Sequence, residues 1–117
     1  MTVYRWLFPH ESLHVYHDAQ EFLRRVHALS WPRGHCDLKR QLTRAAISIA
    51  LNICEGRAQR FAGNSGTNFY RIALGSAAEC HGALEVLQIV AATALDDEIQ
   101  LLRRIGGRLS ALTKASV

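Results

Sequence analysis

The chain has 117 residues, which suits one domain with a hydrophobic core and is too short for two ordinary domains. Hydrophobic residues make up 49% of it and charged residues 21%, and this composition excludes a disordered protein. The formal net charge of +4 permits a nucleic-acid partner but does not identify one.

The apolar stretches and the cysteines indicate a cytoplasmic protein without a membrane anchor. Residues 1–12 contain Arg5 and Pro9 where a secretory signal would need an apolar run. The longest apolar stretch, residues 83–95, is too short to span a bilayer. The three cysteines are widely spaced and form no C-x-x-C pair, which suits free thiols in a reducing compartment: Cys36, Cys54 and Cys80.

Helix 1 is predicted for about residues 12–29. Apolar residues recur there at three- and four-residue steps, and Ser12 is a plausible N-cap. The expected core line of this helix is Leu13, Tyr16, Ala19, Leu23 and Val26.

Helix 2 is predicted to begin at Asp37 and to end before Gly56, because glycine suits the left-handed conformation after a helix C-terminus. Its expected core line is Leu38, Leu42, Ala45, Ile49 and Ile53. A second apolar line off that face predicts a second neighbour for the helix, and it consists of Ile47, Leu51 and Cys54.

Helix 3 is predicted for about residues 65–93 and helix 4 from Asp96 onward. Helix 3 is apolar or small almost all round, so it must be covered on most sides. Helix 4 has acidic residues in its first turn and basic residues later, which matches the helix macrodipole. Its expected core line is Leu102, Ile105, Leu109 and Leu112.

These elements predict an all-α protein, a single domain over residues 1–117 with an up-down-up-down antiparallel four-helix bundle. Helix 3 and the second line of helix 2 are too apolar for a monomer. A homo-oligomer is therefore expected, with an interface at Ile47, Leu51, Cys54, Leu74 and Ala78.

Two spaced blocks carry a resemblance to a known family. The first pattern, R-A-x-x-S-I-x-x-N-I-x-E-G, matches residues 44–56, and the second, F-L-x-I-A-x-G-S-x-x-E, resembles residues 69–79. Leu13, Val15 and Tyr16 resemble a third block, L-x-V-[WY]. The chain thus resembles the bacterial four-helix bundle family that includes the 23S rRNA intervening-sequence proteins.

The resemblance implies a ring of five bundles, and it implies kinship with the accessory protein that assists the reverse transcriptase of diversity-generating retroelements and binds nucleic acid. Most matched polar and small residues are expected to be structural. Asn52, Glu55 and Glu79 are expected to cap helix 2 and to tie its following loop to helix 3, and Gly75 and Ser76 to allow close helix packing. The matched set is Arg44, Ser48, Asn52, Glu55, Gly56, Gly75, Ser76 and Glu79.

A zinc-peptidase pattern, H-E-x-x-H at His10, Glu11 and His14, is expected to be fortuitous. A zinc peptidase needs both histidines on one continuous helix, whereas Pro9 and Ser12 indicate that the helix starts between them. No phosphate-binding loop and no nucleophile with a base can be proposed. We therefore expect no catalytic residue, no metal and no cofactor.

If the protein is not an enzyme, two functions remain. The first is a nucleic-acid- or ribonucleoprotein-associated accessory or scaffold, with RNA, DNA or a nucleic-acid-processing protein as partner; the charge of the chain, unbalanced only in residues 37–60, permits this function. The alternative is a purely structural or protein-binding oligomer whose arginines are only solvated. The candidate nucleic-acid-binding residues are Lys39, Arg40, Arg44, Arg57 and Arg60.

Overall fold

Four α-helices make up most of the computed structural model, which describes residues 3–114. A short 3₁₀ helix, Pro9–Ser12, precedes them. Their bounds are α1, His14–Ala28; α2, Cys36–Phe61; α3, Thr67–Ala91; and α4, Asp96–Lys114. The described residues contain no β-strand, so the prediction of four helices in an all-α protein is confirmed.

The prediction that Ser12 caps helix 1 is wrong. Ser12 ends the 3₁₀ helix, and Leu13 follows it in an extended conformation before α1 begins at His14. The 3₁₀ helix is stabilised by the Glu11 carboxylate, which accepts a hydrogen bond of 2.6 Å from the Phe8 N–H, and by Pro9 at its first position. These local interactions hold residues 9–12 apart from α1.

The predicted end of helix 2 before Gly56 is also wrong, because α2 continues to Phe61. The connection to α3 is shorter than expected and turns through Gly63 and Gly66, whose φ angles are 95° and 68°. A Cβ atom at Gly66 would overlap the Gly56 carbonyl oxygen, so this tight connection requires glycine.

One hydrophobic core is shared by the four helices. α1 packs beside α2 and α4, and α3 also packs beside α2 and α4; within the described range, the backbones of α1 and α3 are not neighbours. The predicted core lines of α2 and α4 are largely buried, whereas α1 also buries Val15 and Phe22, which the sequence pattern missed. The largest fully buried side chains include Tyr70, Phe22, Leu42, Ile49, Ile53, Leu84, Leu87, Ile105 and Leu109.

Ion pairs join α1 to α4 at the rim of this core. The Asp18 carboxylate lies 3.0 Å from the Arg104 guanidinium and 3.2 Å from that of Arg108. Further along α1, Arg25 lies 3.2 Å from Glu98. These pairs fix the register of α1 against α4, although each arginine remains partly in solvent and the energetic contribution is modest.

Candidate functional site

The five predicted nucleic-acid-binding residues all lie on α2, but they do not form one patch. Lys39 and Arg60 are separated by about 30 Å along the axis, given a rise of about 1.5 Å per residue. The residues therefore form two groups, one near each end of α2.

The first group surrounds a shallow surface depression of about 510 Å³, which we call the α2 depression. Arg40 pairs with Asp37 at 3.3 Å. Lys39 and Arg44 are exposed, and neither forms an ion pair with another described residue. The depression is lined by Cys36, Lys39, Arg40, Thr43, Arg44 and Ile47.

The α2 depression continues into the seam between α1 and α2. Thr43 and Ile47 also line a neighbouring depression, together with Leu23, Arg24 and other residues of α1. Arg24 pairs with Glu21 at 3.3 Å, so it is less available than Lys39 and Arg44. The combined surface is thus lined by apolar side chains, among them Leu23 and Ile47, together with the cations of both helices.

The second group is engaged within the bundle. The Arg60 guanidinium donates a 2.6 Å hydrogen bond to the Leu112 carbonyl, a 3.3 Å bond to the Thr67 hydroxyl and a further bond to the Ser65 carbonyl. It also lies over the Tyr70 ring, 4.6 Å from the ring centroid. Arg60 is half-buried and therefore joins the ends of α2 and α4 to the start of α3.

Arg57 is half-buried, and its Nε donates a hydrogen bond of 3.4 Å to the Pro9 carbonyl. This contact ties the 3₁₀ helix to α2. Of the five cations, Lys39 and Arg44 are thus the ones that the fold leaves most open to a partner.

The family-type polar residues form a small hydrogen-bonded cluster between α2 and α3. The hydroxyl oxygens of Ser48 and Ser76 are 2.8 Å apart. The Asn52 side-chain amide donates to the Ser48 carbonyl at 2.9 Å and to its hydroxyl at 3.1 Å. This cluster satisfies polar groups beside the core, as the expected structural role requires.

Three expectations for the remaining family-type residues need correction. Asn52 bonds within α2 and does not reach the following loop, and Glu55 accepts a hydrogen bond of 3.3 Å from Gln59 on the same helix. Glu79 is exposed and has no hydrogen bond or ion pair within residues 3–114. Gly75 is exposed, and a Cβ there would meet nothing within 4 Å, so it serves no close helix contact inside the bundle.

The proposed interface residues divide between two opposite sides of the bundle. Ile47 and Leu51, which are 41% and 63% exposed, lie on the side of α1 and α2, and Cys54 is half-buried beside the Tyr16 hydroxyl. Leu74 and Ala78 line a depression at the seam of α3 and α4. Because α1 and α3 are diagonal in the bundle and not neighbours, these two seams face in different directions.

The histidines of the zinc-like pattern do not share a helix. His10 lies in the 3₁₀ helix with its ring 4.6 Å from that of Tyr16, and His14 is the first residue of α1. Across the described residues, no group of three His, Cys, Asp or Glu side chains could hold a metal ion.

Burial affects the chemistry of the thiols. It raises the pKa of Cys80 to about 12 and also raises the pKa of Cys54. Both thiols therefore favour the protonated, unreactive form at neutral pH. Cys36 is exposed on the α2 depression.

Residues 11–112 match the model of a protein family described as 23S rRNA-intervening sequence protein. A search of curated proteins found no match. Within the part of the chain that the structure covers, none of the helices has the length and apolar character needed to cross a membrane.

Proposed function

Because the chain belongs to the 23S rRNA-intervening sequence protein family, we propose that it is a non-catalytic subunit of a ring-shaped homo-oligomer that acts as an RNA-associated accessory scaffold. The family description indicates a link to ribosomal RNA, and the α2 depression offers a surface for such a link. Its three free cysteines suit the reducing environment of the cytoplasm.

The proposed subunit is an up-down-up-down antiparallel bundle. Asp18 pairs with Arg104 and Arg108, whereas Arg25, later in α1, pairs with Glu98, earlier in α4. This inverted order is that of antiparallel neighbours. The four-residue connection from α3 to α4, residues 92–95, supports the same arrangement.

The proposed ring rests on apolar surface that one subunit leaves uncovered. A ring joins two different patches, one on each side of the subunit, and the α1/α2 and α3/α4 seams provide such a pair. Exposed Ile47 and Leu51 belong to the first side, and Leu74 and Ala78 to the second. In the proposed ring the neighbouring subunit covers Ile47, and the charged ends of Lys39 and Arg44 lie at the edge of this interface, where a further partner can reach them. The number five follows from the family resemblance.

The observation that carries the nucleic-acid proposal is the exposure of Lys39 and Arg44 without a carboxylate partner among the described residues. Such side chains can contact phosphates without reading base sequence. A ring repeats the pair in every subunit, so modest charge per chain becomes a large ordered field. Arg40, which lines the same depression, extends the positive surface.

A second candidate is favoured by the apolar side chains at the seam between α1 and α2. Leu23 and Ile47 line this seam beside the cations, and the part of it that a neighbouring subunit leaves open also suits the apolar side chains of a protein partner. In that case the protein is a partner-binding oligomer that does not bind nucleic acid.

Fluorescence anisotropy with a structured RNA and a short DNA duplex, each at two salt concentrations, decides between these candidates. We expect affinity to fall steeply with salt and to depend weakly on sequence. Replacing Lys39 and Arg44 together by glutamate should weaken binding roughly tenfold and reduce the salt slope.

The matched control replaces Arg71 and Lys114, two exposed cations on α3 and α4, by glutamate. This variant should bind nucleic acid nearly as tightly as the unchanged protein. Light scattering on a size-exclusion column checks that both variants keep the oligomer of the unchanged 13.1 kDa chain. If the unchanged protein shows no salt-sensitive binding to either probe, the nucleic-acid proposal falls and the partner-binding oligomer replaces it. A monomer at micromolar concentration would overturn the ring.

A further inference from the structure

The segment before the 3₁₀ helix, Val3–Phe8, is the most exposed apolar part of the described chain. Five of its six residues are large and apolar, and Arg5 is its one charge. Their exposed fractions are 75% for Val3, 90% for Tyr4, 62% for Trp6, 64% for Leu7 and 59% for Phe8. We call this segment the N-terminal arm.

Hydrogen bonds attach the C-terminal end of the arm to the bundle. The Phe8 N–H donates to the Glu11 carboxylate at 2.6 Å, and the Pro9 carbonyl accepts a hydrogen bond from Arg57 on α2. Trp6 packs edge-on against Phe8, with ring centroids 4.8 Å apart. The arm thus leaves the bundle at a defined place beside α2, on the side of α1 and α2.

A second uncovered apolar surface lies on the outward side of α3. Ile72, Val86 and Ile89 are 44%, 46% and 79% exposed. Between them, Gly75 and Gly82 leave open space, because a Cβ at either position would meet nothing within 4 Å. Bulky side chains of a partner can therefore approach the helix closely between Ile72 and Val86.

We propose that the N-terminal arm of one subunit packs along the outward face of α3, from Ile72 to Val86, in a neighbouring copy of this chain. This inference rests on the proposed homo-oligomer and names a contact that holds it together. Within one chain both surfaces stay uncovered, so the chain itself does not satisfy them.

The lengths of the two surfaces agree. Six residues in extended conformation span about 20 Å at roughly 3.3 Å each. The 14 positions from Ile72 to Val86 also span about 20 Å at roughly 1.5 Å each. The arm can therefore cover this part of α3 from end to end.

The charges of the two surfaces are complementary. Arg5 lies near the middle of the arm, and Glu79 lies midway between Ile72 and Val86. Neither side chain forms an ion pair within residues 3–114, and both are exposed. Packing of the arm along α3 in either direction brings these two charges together.

The exposed area of the arm is also of the size that association requires. Its five apolar side chains expose on the order of 600 Å², with three aromatic residues contributing most of it. That value is at the upper end for apolar patches on monomers and is comparable to the roughly 800 Å² that each partner buries in a standard interface.

Cross-linking between separately prepared variants tests the proposal. All samples carry Cys36→Ser to remove the exposed thiol; one also carries Arg5→Cys and the other Glu79→Cys. The two proteins are mixed, dissociated, reassembled and treated with a short bis-maleimide. We expect a covalent dimer in the mixture and only background in the Cys36→Ser protein.

A charge exchange provides a second, independent readout. Arg5→Glu and Glu79→Arg should each raise the concentration at which the oligomer dissociates, roughly two- to fivefold, and the double variant should restore it. Gly82→Leu should also weaken assembly by filling the open space on α3, whereas Gly107→Leu, at an open position on α4, should not.

The outcomes separate this inference from the proposed ring. If the unchanged protein is a monomer in light scattering, both the proposed ring and the proposed arm contact are wrong. An oligomer that gives no mixed cross-link, or a cross-link only when both cysteines are in one chain, overturns the arm contact and leaves the ring standing. Equal assembly of the Gly82→Leu and unchanged proteins would also contradict the arm contact.

Discussion

Gly56 lies inside α2, five residues before its last residue Phe61, and faces the ring of Tyr70 on α3. A Cβ atom built at Gly56 would come within 3.0 Å of the Tyr70 ring, which is fully buried. The glycine at the end of the family-like motif is therefore required by a helix-to-helix contact and not by a helix terminus.

Gly56→Ala should lower the free energy of unfolding by about 1–3 kcal/mol, because the added methyl group overpacks a site filled by a rigid ring. Urea unfolding followed by circular dichroism measures this change. In a Tyr70→Leu background the cost should become smaller, since the shorter side chain leaves room for the methyl group.

Gly107→Ala is the matched control, because Gly107 is an exposed helical glycine with no atom near its potential Cβ. It should raise the free energy of unfolding by about 0.5–1 kcal/mol. An equal cost of Gly56→Ala with and without the Tyr70 ring would refute the contact as the reason for glycine.

Arg60→Ala should destabilise the fold by about 2–4 kcal/mol, because it leaves the Leu112 and Ser65 carbonyls and the Tyr70 ring without their cation. Arg60→Lys should recover only part of the loss, since one ammonium group cannot reach all of these acceptors. Chemical unfolding of both variants is compared with that of Arg44→Ala, an exposed site expected to change stability by less than about 0.5 kcal/mol. Similar stabilities for Arg60→Ala and Arg44→Ala would show that Arg60 is an ordinary surface cation.

Ser48 and Ser76 should show energetic coupling across the α2/α3 contact. Each single replacement by alanine leaves the other hydroxyl without its partner at 2.8 Å and should cost about 1 kcal/mol. Replacing both should cost less than the two single changes together, by roughly 0.5–1.5 kcal/mol. A double-mutant cycle from urea unfolding measures the difference, and strict additivity would argue against the bond.

The sequence predicted four helices because their apolar residues recur at helical spacing. This spacing places them on the face of each helix that is buried against the core. The failure at Gly56 has a different origin. Its neighbour Tyr70 lies 14 positions away, so the local signal of a helix-ending glycine was the only one that the sequence offered. Tertiary packing overrides such signals.

The candidate site was predictable only as an excess of charge. The sequence could show that residues 37–60 are basic, but it could not show which cations are already engaged. Arg57 and Arg60 donate to the backbone carbonyls of Pro9 and Leu112. Because every residue has a backbone carbonyl, the sequence does not indicate which of them accepts such a bond. Charged partners such as Asp18 and Arg104 lie 86 positions apart and are equally hidden from a local pattern.

Alkaline pH should destabilise the fold through Cys80. Burial raises the pKa of this thiol from 9.0 to about 12 in the folded state, so the folded protein holds the proton more tightly than the unfolded chain does. The thiol has no such effect below pH 9, and between pH 9 and 12 the free energy of unfolding should fall by at most about 1.4 kcal/mol per pH unit. Burial also raises the pKa of Tyr70, and this acts in the same direction above pH 10.

Urea unfolding at pH 8, 9.5 and 10.5 therefore has to compare the unchanged protein with Cys80→Ala. The variant should be less stable at pH 8 because of the lost packing, and its stability should fall less steeply as the pH rises. Parallel pH curves for the two proteins would mean that the Cys80 thiol titrates alike in the folded and unfolded chains.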